Sequence, residues 1–361
     1  MKKINYTFSI LTLVFTTLFS VKTMAQDAVF AQYYASPLHL NPAMMGVFQG
    51  QCRFNANYRQ QWSGIFSDIP IRTIHAGFDY KVRVFDGDYF AFGINAMEDE
   101  TGAISKLKNT RGNLGLSYMK QLGGDRYRSA DQYLIFGAQV GMAQFQTTTD
   151  GLWFDRQYDS ASVNYNTSLP SGEIAPRSDM FMDINAGILF YTVIDDNKSF
   201  YIGASAHHLT QPNISFLGNS TENLRRRFTV HGGGEFPLND QLSFLPSVMA
   251  TLQGPSMTTM FGGNFRYSNH DWQEVAVRVG GSYRLANQFV AKADGSSGSG
   301  ILGDAFTITG MLELNSWIFG ISYDIHTSSI LKPTNGRGAW ELSLIYVAPE
   351  RIPYRTLCPK F

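Results

Sequence analysis

In the stretch Thr73-Ile74-His75-Ala76-Gly77-Phe78-Asp79-Tyr80-Lys81-Val82, Ile74, Ala76, Phe78, Tyr80 and Val82 take every second position. Thr73, His75, Gly77, Asp79 and Lys81 fall between them. Successive side chains of a strand point to opposite faces, so this segment has one apolar face and one that carries ions. Cys52, Phe54, Ala56 and Tyr58 repeat the pattern against Arg53, Asn55, Asn57 and Arg59, and Trp340, Leu342, Leu344 and Tyr346 repeat it near the far end. Extending the same reading outward predicts strands near 51–61, 71–84, 88–98, 111–121, 132–146, 180–193 and 199–209. Seven more are predicted near 226–236, 241–252, 257–267, 274–285, 303–314, 316–326 and 338–347. Their number is even, and each has the ~10-residue length of a tilted membrane strand.

The connections separate a membrane barrel from a soluble sandwich. Gaps after odd-numbered strands span 62–70, 99–110, 147–179, 210–225, 253–256, 286–302 and 327–337. Gaps after even-numbered strands span 85–87, 122–131, 194–198, 237–240, 268–273 and residue 315. Long and short alternate, with 253–256 as the exception. Short periplasmic turns and long outer loops produce that rhythm. Aromatic residues on the apolar face agree with it. Tyr80, Phe90, Tyr118, Phe190, Phe200, Phe236, Phe244, Tyr267, Trp317 and Tyr346 all fall where the periplasmic interface is expected.

Composition narrows the class further. Charged residues are 16% of the 361, against roughly 25% in ordinary soluble domains. With 27 Phe, 18 Tyr and 5 Trp the chain is too aromatic to be disordered. A formal charge of zero argues against nucleic acid as a partner, since phosphate neutralisation needs a basic excess. Two Cys make neither a disulfide scaffold nor a Cys-rich metal site.

Lys2 and Lys3, the apolar run Phe8–Val21 and the exit Thr23-Met24-Ala25 read as a secretory signal cleaved after Ala25. Its removal leaves 26 basic against 29 acidic groups. The expected organisation is a signal peptide over 1–25, a periplasmic leader over 26–49, a barrel over 50–347 and a periplasmic tail over 348–361. The chain is thus expected to be an all-β, 14-stranded antiparallel transmembrane barrel of the outer membrane, contacting lipid. Pro37 and Pro42 keep the leader out of any central strand. Its Phe30, Tyr33, Tyr34, Leu38 and Leu40 are costly to expose, which favours a plug or a lid across the mouth over a loose leader.

The ion-bearing face collects Arg53, Arg59, His75, Asp79, Lys81, Arg111, Asp183, Arg227, His231, Glu235, Arg278, Glu313, Asp324 and Glu341. Both signs occur together, which predicts a cross-linked lumen rather than an ion-selective pore.

No catalytic motif emerges. His231-Gly232-Gly233-Gly234 lies inside an alternating strand without an elbow serine, and Asp304, Asp324 and the serines of 296–299 fix no nucleophile–base pair. His207 and His208 are adjacent, so within a strand they would point to opposite faces and chelate no common metal. Gly295–Gly300 reads as a flexible loop. No cofactor and no metal is expected. First and last strands are neighbours in a closed barrel, so Cys52 could meet Cys358, although Cys52 sits on the apolar register.

Gln32-Tyr33-Tyr34, Pro37-Leu38, Leu40-Asn41-Pro42-Ala43 and Gly46 together resemble the N-terminal signature of the PorP/SprF family of the type IX secretion system. Tyr58-Arg59-Gln60-Gln61-Trp62, His208-Leu209-Thr210-Gln211-Pro212, Gly281-Ser282-Tyr283-Arg284 and Ser322-Tyr323-Asp324-Ile325 are similar to family stretches as well. So is the ending Cys358-Pro359-Lys360-Phe361, where the family commonly has Arg in place of Lys360. The resemblance implies a non-enzymatic barrel of the secretion and gliding machinery that supports export or surface anchoring of a large adhesin with a C-terminal sorting domain. Alternatives are a core-apparatus barrel contacting periplasmic ring proteins and a passive transporter of hydrophobic solutes. The candidate partner-binding residues are Phe30, Tyr33, Tyr34, Leu38, Asn41 and Pro42 of the leader, Trp62, and the tail Cys358, Pro359, Lys360 and Phe361. Trp153, Phe154 and Tyr158 of the largest outer loop join them, because aromatic anchors dominate interface energetics.

Overall fold

A computed structural model describes residues 27–62, 71–85, 87–102, 106–123, 130–148, 152–159, 164–166, 177–195, 198–216, 222–269, 275–291, 297–328 and 337–349. Fourteen antiparallel strands close into one barrel. They are β1 (Cys52–Gln61), β2 (Ile71–Phe85), β3 (Asp88–Thr101), β4 (Leu107–Gly123) and β5 (Asp131–Thr147). After a two-residue pair outside the wall, β6 (Tyr158–Asp159) and β7 (Asn164–Tyr165), come β8 (Phe181–Asp195), β9 (Lys198–His207), β10 (Arg227–Pro237) and β11 (Leu242–Gln253). The wall ends with β12 (Ser256–Ser268), β13 (Val275–Ala291), β14 (Ser297–Leu314), β15 (Trp317–His326) and β16 (Arg337–Ala348). β1 pairs with β16 from Cys52↔Ala348 to Gln61↔Ala339, which closes the sheet and leaves no edge.

The alternation has the physical meaning it was given. Every ion-bearing residue assigned to the inner face is buried except Glu313, which is half-buried. Ile74, Phe78 and Leu342 stand exposed on the outside. At the short-turn end the aromatic residues meet across strands: Phe90 with Tyr118 (4.9 Å between ring centres), Phe244 with Phe265 (5.0 Å) and Trp317 with Tyr346 (4.5 Å). Such cross-strand pairs form the interfacial ring of a lipid-embedded sheet.

Three departures from the sequence reading have local causes. Ser297–Gly300, read as loop, pair with Gln288–Ala291, so β13 and β14 run several residues beyond their predicted ends. Small serines and glycines carry no apolar contrast, yet their backbone ladder continues. β6 and β7, two residues each, lie within a stretch read only as loop. β9 stops at His207, and His208 adopts φ 59°, which turns its ring into the lumen beside that of His207 instead of to the opposite face. The two rings still take different partners. His207 approaches the Leu40 carbonyl and His208 binds Asp27 and Asp183.

Candidate functional site: a plugged lumen and its rims

Residues 27–48 lie inside the barrel, and Gln49 is exposed. The segment folds as a 3-10 turn (Tyr33–Ala35), a single α-helical turn (Pro37–Leu40) and a second 3-10 turn (Pro42–Met44). Pro37 and Pro42 each open a turn, where the missing N–H costs nothing and φ is already set. Asn41 caps the last turn by accepting from the Ala43 N–H at 2.8 Å. Its amide nitrogen donates to the carbonyls of Ile188 (3.1 Å) and Ala204 (3.3 Å) and lies 3.0 Å from His231 Nε2. One side chain therefore shapes the plug and fastens it to β8, β9 and β10.

The plug traverses the lumen from end to end. Asp27 sits at the long-loop end among Arg111, Arg227, His208 and Gln253. Gly46 to Phe48 sit at the short-turn end, where Asp79 accepts from the Gly46 N–H and Lys81 donates to the Phe48 carbonyl. Between them the Glu341 carboxylate accepts from the Ala31 (2.8 Å) and Gln32 (2.9 Å) amides. Two cavities along the plug hold about 20 Å³ (beside Phe30 and His39) and about 10 Å³ (beside Tyr34 and Tyr201), roughly the size of one water each.

Wall glycines make this packing possible. Gly93 faces Gly115 across β3 and β4, and Gly137 faces Gly187 across β5 and β8. A Cβ at Gly93 would come within 2.6 Å of Met45 Sδ, and one at Gly137 would collide with the Pro42–Ala43 peptide. The strands' small positions and the plug's bulky ones are complementary.

Around the plug the ions are paired: Arg53 with Asp79, Arg59 with Asp324 and Glu341, and Arg284 with Asp304 and Asp324. Arg266 and Arg278 both hold Glu313. Asp304 and Asp324, which fix no nucleophile–base pair in the sequence, serve as counter-ions to arginine. Burial works to raise the Asp27 carboxyl, but Arg111, His208 and Arg227 hold it well below the usual carboxylate range. Burial, reinforced by Arg227, pushes the His39 imidazole well below its ordinary value. Burial alone would lower His208 too, yet the Asp27 and Asp183 carboxylates carry it upward. The Tyr34 phenol is pushed up to about 12, chiefly by burial.

Phe30, Tyr33, Tyr34, Leu38, Asn41 and Pro42 come together, but inside the lumen; in this conformation all six pack against the barrel and none offers a surface to a partner. Trp62 follows β1 with φ 64°, and its indole N–H donates to His326 Nε2 at 3.1 Å, fastening the long-loop rim. Trp153 (64% exposed) and Tyr158 (43%) stand out from the loop between β5 and β8, with Phe154 half-buried between them. Cys358, Pro359, Lys360 and Phe361, the signal segment 1–25 and the bridge to Cys52 fall outside the described residues. Asp27, His208 and the inward glycines escaped the sequence reading. For the glycines, their place at inward positions of alternating strands, as at Gly93 and Gly115, is the signal the sequence offers.

Among solved structures, the chain is similar to CdiB from Escherichia coli (9% identity, 81% of this chain and 63% of that one, TM-score 0.43). It thus spans less than two thirds of that protein. It is also similar to the Ralstonia pickettii toluene transporter TbuX (10% identity, 86% and 91%, TM-score 0.45). A Pseudomonas aeruginosa FadL homologue gives 12% identity, 85% and 92%, with TM-score 0.44. No curated protein matches the sequence. The family described as type IX secretion system membrane protein PorP/SprF matches residues 22–346. A match over nearly the whole chain, on a closed 14-stranded barrel with an apolar outside, makes this protein an outer-membrane member of the PorP/SprF family.

Proposed function

We propose that this barrel is a non-enzymatic docking platform through which the type IX machinery exports or retains a large surface protein, an adhesin with a C-terminal sorting domain. The observation that carries the reading is the filled lumen: a passage occupied by residues 27–48 and cross-linked by buried ion pairs suits docking better than passive solute flow. The alternation of short and long connections supports a short-turn rim in the periplasm and a long-loop rim at the cell surface. The cargo is gripped there, by Trp153, Phe154 and Tyr158, with Trp62 bracing the rim. The leader residues act indirectly, by holding the wall in shape.

The test replaces Trp153 and Tyr158 by Ala and follows two readouts, barrel assembly (the heat-dependent gel shift) and surface display of the cargo. Display should fall several-fold while assembly stays normal. Unchanged display would end the proposal for this loop. A steady open conductance of the wild-type protein in planar bilayers would favour solute transport instead.

A further inference from the structure

Three consecutive arginines, Arg225 to Arg227, lead into β10 and meet two different fates. Arg227 turns inward and holds Asp27 at 3.2 Å. Arg225 and Arg226 remain exposed, and no ion pair joins either to an acidic group among the described residues. Both line a groove of about 510 Å³ at the long-loop end. Gln211 and Asn223 stand on its polar side, and Phe228 and Leu252 form its apolar floor.

The floor locates the groove relative to the bilayer. Phe228 and Leu252 are directly paired across β10 and β11, each about half exposed on the lipid-facing register. Arg226, exposed, immediately precedes β10 on the rim side of Phe228. Beside it the wall is low, because β11 and β12 are joined by a two-residue turn, Gly254-Pro255, instead of a long loop. Gly254 has φ 59°, and a Cβ there would collide with the Arg225 side chain, so this turn requires glycine twice over. The guanidinium is thereby free to lie across the turn.

We propose that this groove binds the phosphorylated headgroup of an outer-leaflet glycolipid. Guanidinium groups match phosphate oxygens bidentately and carry less hydration than an ammonium group. The side-chain amides of Gln211 and Asn223 suit sugar hydroxyls. The acyl chains continue down over Phe228 and Leu252, where the barrel is already lipid-facing. The proposal shares only the membrane orientation with the function proposed above; it needs no cargo and no secretion partner.

The test uses the purified full-length chain in detergent micelles. The probes are a diphosphorylated lipid A, its dephosphorylated form and inorganic phosphate. The wild type should bind the diphosphorylated lipid at least tenfold more tightly than the dephosphorylated one. Arg225→Gln with Arg226→Gln should abolish that preference, with the heat-dependent gel shift unchanged. Arg156→Gln with Arg177→Gln, which removes the same charge from exposed positions of other long-loop segments, should preserve it. Where the double variant does not assemble, Arg226→Gln alone should reduce the preference at least threefold. Equal binding by wild type and double variant overturns the proposal, as does equal loss in the charge-matched control. Binding of inorganic phosphate as tight as that of the lipid overturns the lipid assignment. None of these outcomes touches cargo display, so the two proposals fail separately.

Discussion

Gly137 on β5 stands directly opposite Gly187 on β8, and the Asn41-Pro42-Ala43 peptide fills the room left by their missing side chains. The contact is backbone against backbone. No rotamer change can relieve an added side chain at Gly137, because the colliding atoms are the Pro42 carbonyl carbon and the Ala43 nitrogen.

Gly137→Val should therefore displace the plug at an overpacking cost of about 1–3 kcal/mol while the wall stays closed. Planar-bilayer recording tests this. The variant is expected to show a steady conductance absent from the wild type, with a normal gel shift. A silent variant would mean that the plug has room to shift aside.

Glu341→Ala leaves the Ala31 and Gln32 amides without their acceptor and Arg59 with Asp324 as its remaining carboxylate. Breaking a buried pair by removing one partner typically costs about 3–5 kcal/mol. The midpoint of the heat-dependent gel shift should fall, and peptides from residues 27–36 should gain hydrogen exchange. Glu341→Gln should lie between, because its amide oxygen still accepts one of the two bonds.

Acid should loosen the plug. His39 and Asp27 both have depressed pKa values when docked, so the docked state binds fewer protons than the released one. Their contribution is complete above the ordinary histidine value of 6.5, declines as His39 takes up a proton below it, and falls again when Asp27 protonates. His208 works in the opposite sense, since its raised pKa gives stability below 6.5 that is lost as pH climbs through the raised value. His39 is displaced well below its ordinary value and His208 less strongly upward, so the His39 effect prevails and the plug is held best near neutrality. Hydrogen exchange of peptides within 27–49, corrected for intrinsic rates, should be faster at pH 5 than at pH 7; equal protection would contradict the charge assignments.

Leu344 faces lipid and Ser343 faces the plug, where its hydroxyl donates to Gln32 Oε1 at 2.7 Å. Leu344→Arg should cost about 2–4 kcal/mol near mid-membrane and lower the stability of the whole barrel. Ser343→Arg meets no open space, so it should expel the plug and raise conductance with less effect on the wall. Identical phenotypes would mean that the facing assignment fails at β16.

The wall could be read from the sequence because each strand writes its two environments in adjacent letters: Leu342 and Leu344 to lipid, Glu341 and Ser343 to the lumen. Where that contrast is missing, as at Ser297–Gly300, the strand was overlooked. The leader's apolar residues announced that it must be covered, but periodicity says nothing about distant partners. That Asp27 would reach Arg111 and His208 depends on a path through three dimensions and on a φ of 59° at His208. The same limit explains why Tyr33 and Tyr34 were read as partner anchors: a large aromatic residue fits an interface and an interior equally well.

The seam between β1 and β16 has a consequence for biogenesis. The enclosed segment precedes β1 in the chain, yet the strand that shuts the cylinder against β1 is β16, the last wall strand in sequence order. An assembling barrel must lay residues 27–48 in place before the final zippering, or thread them afterwards through an opening already narrowed by fixed side chains. Early placement avoids that obstacle, and the leader would then be a mandrel around which the hairpins wrap. Mutations there would first be felt as slow or misregistered closure during assembly in the membrane, before any question of what the finished protein holds.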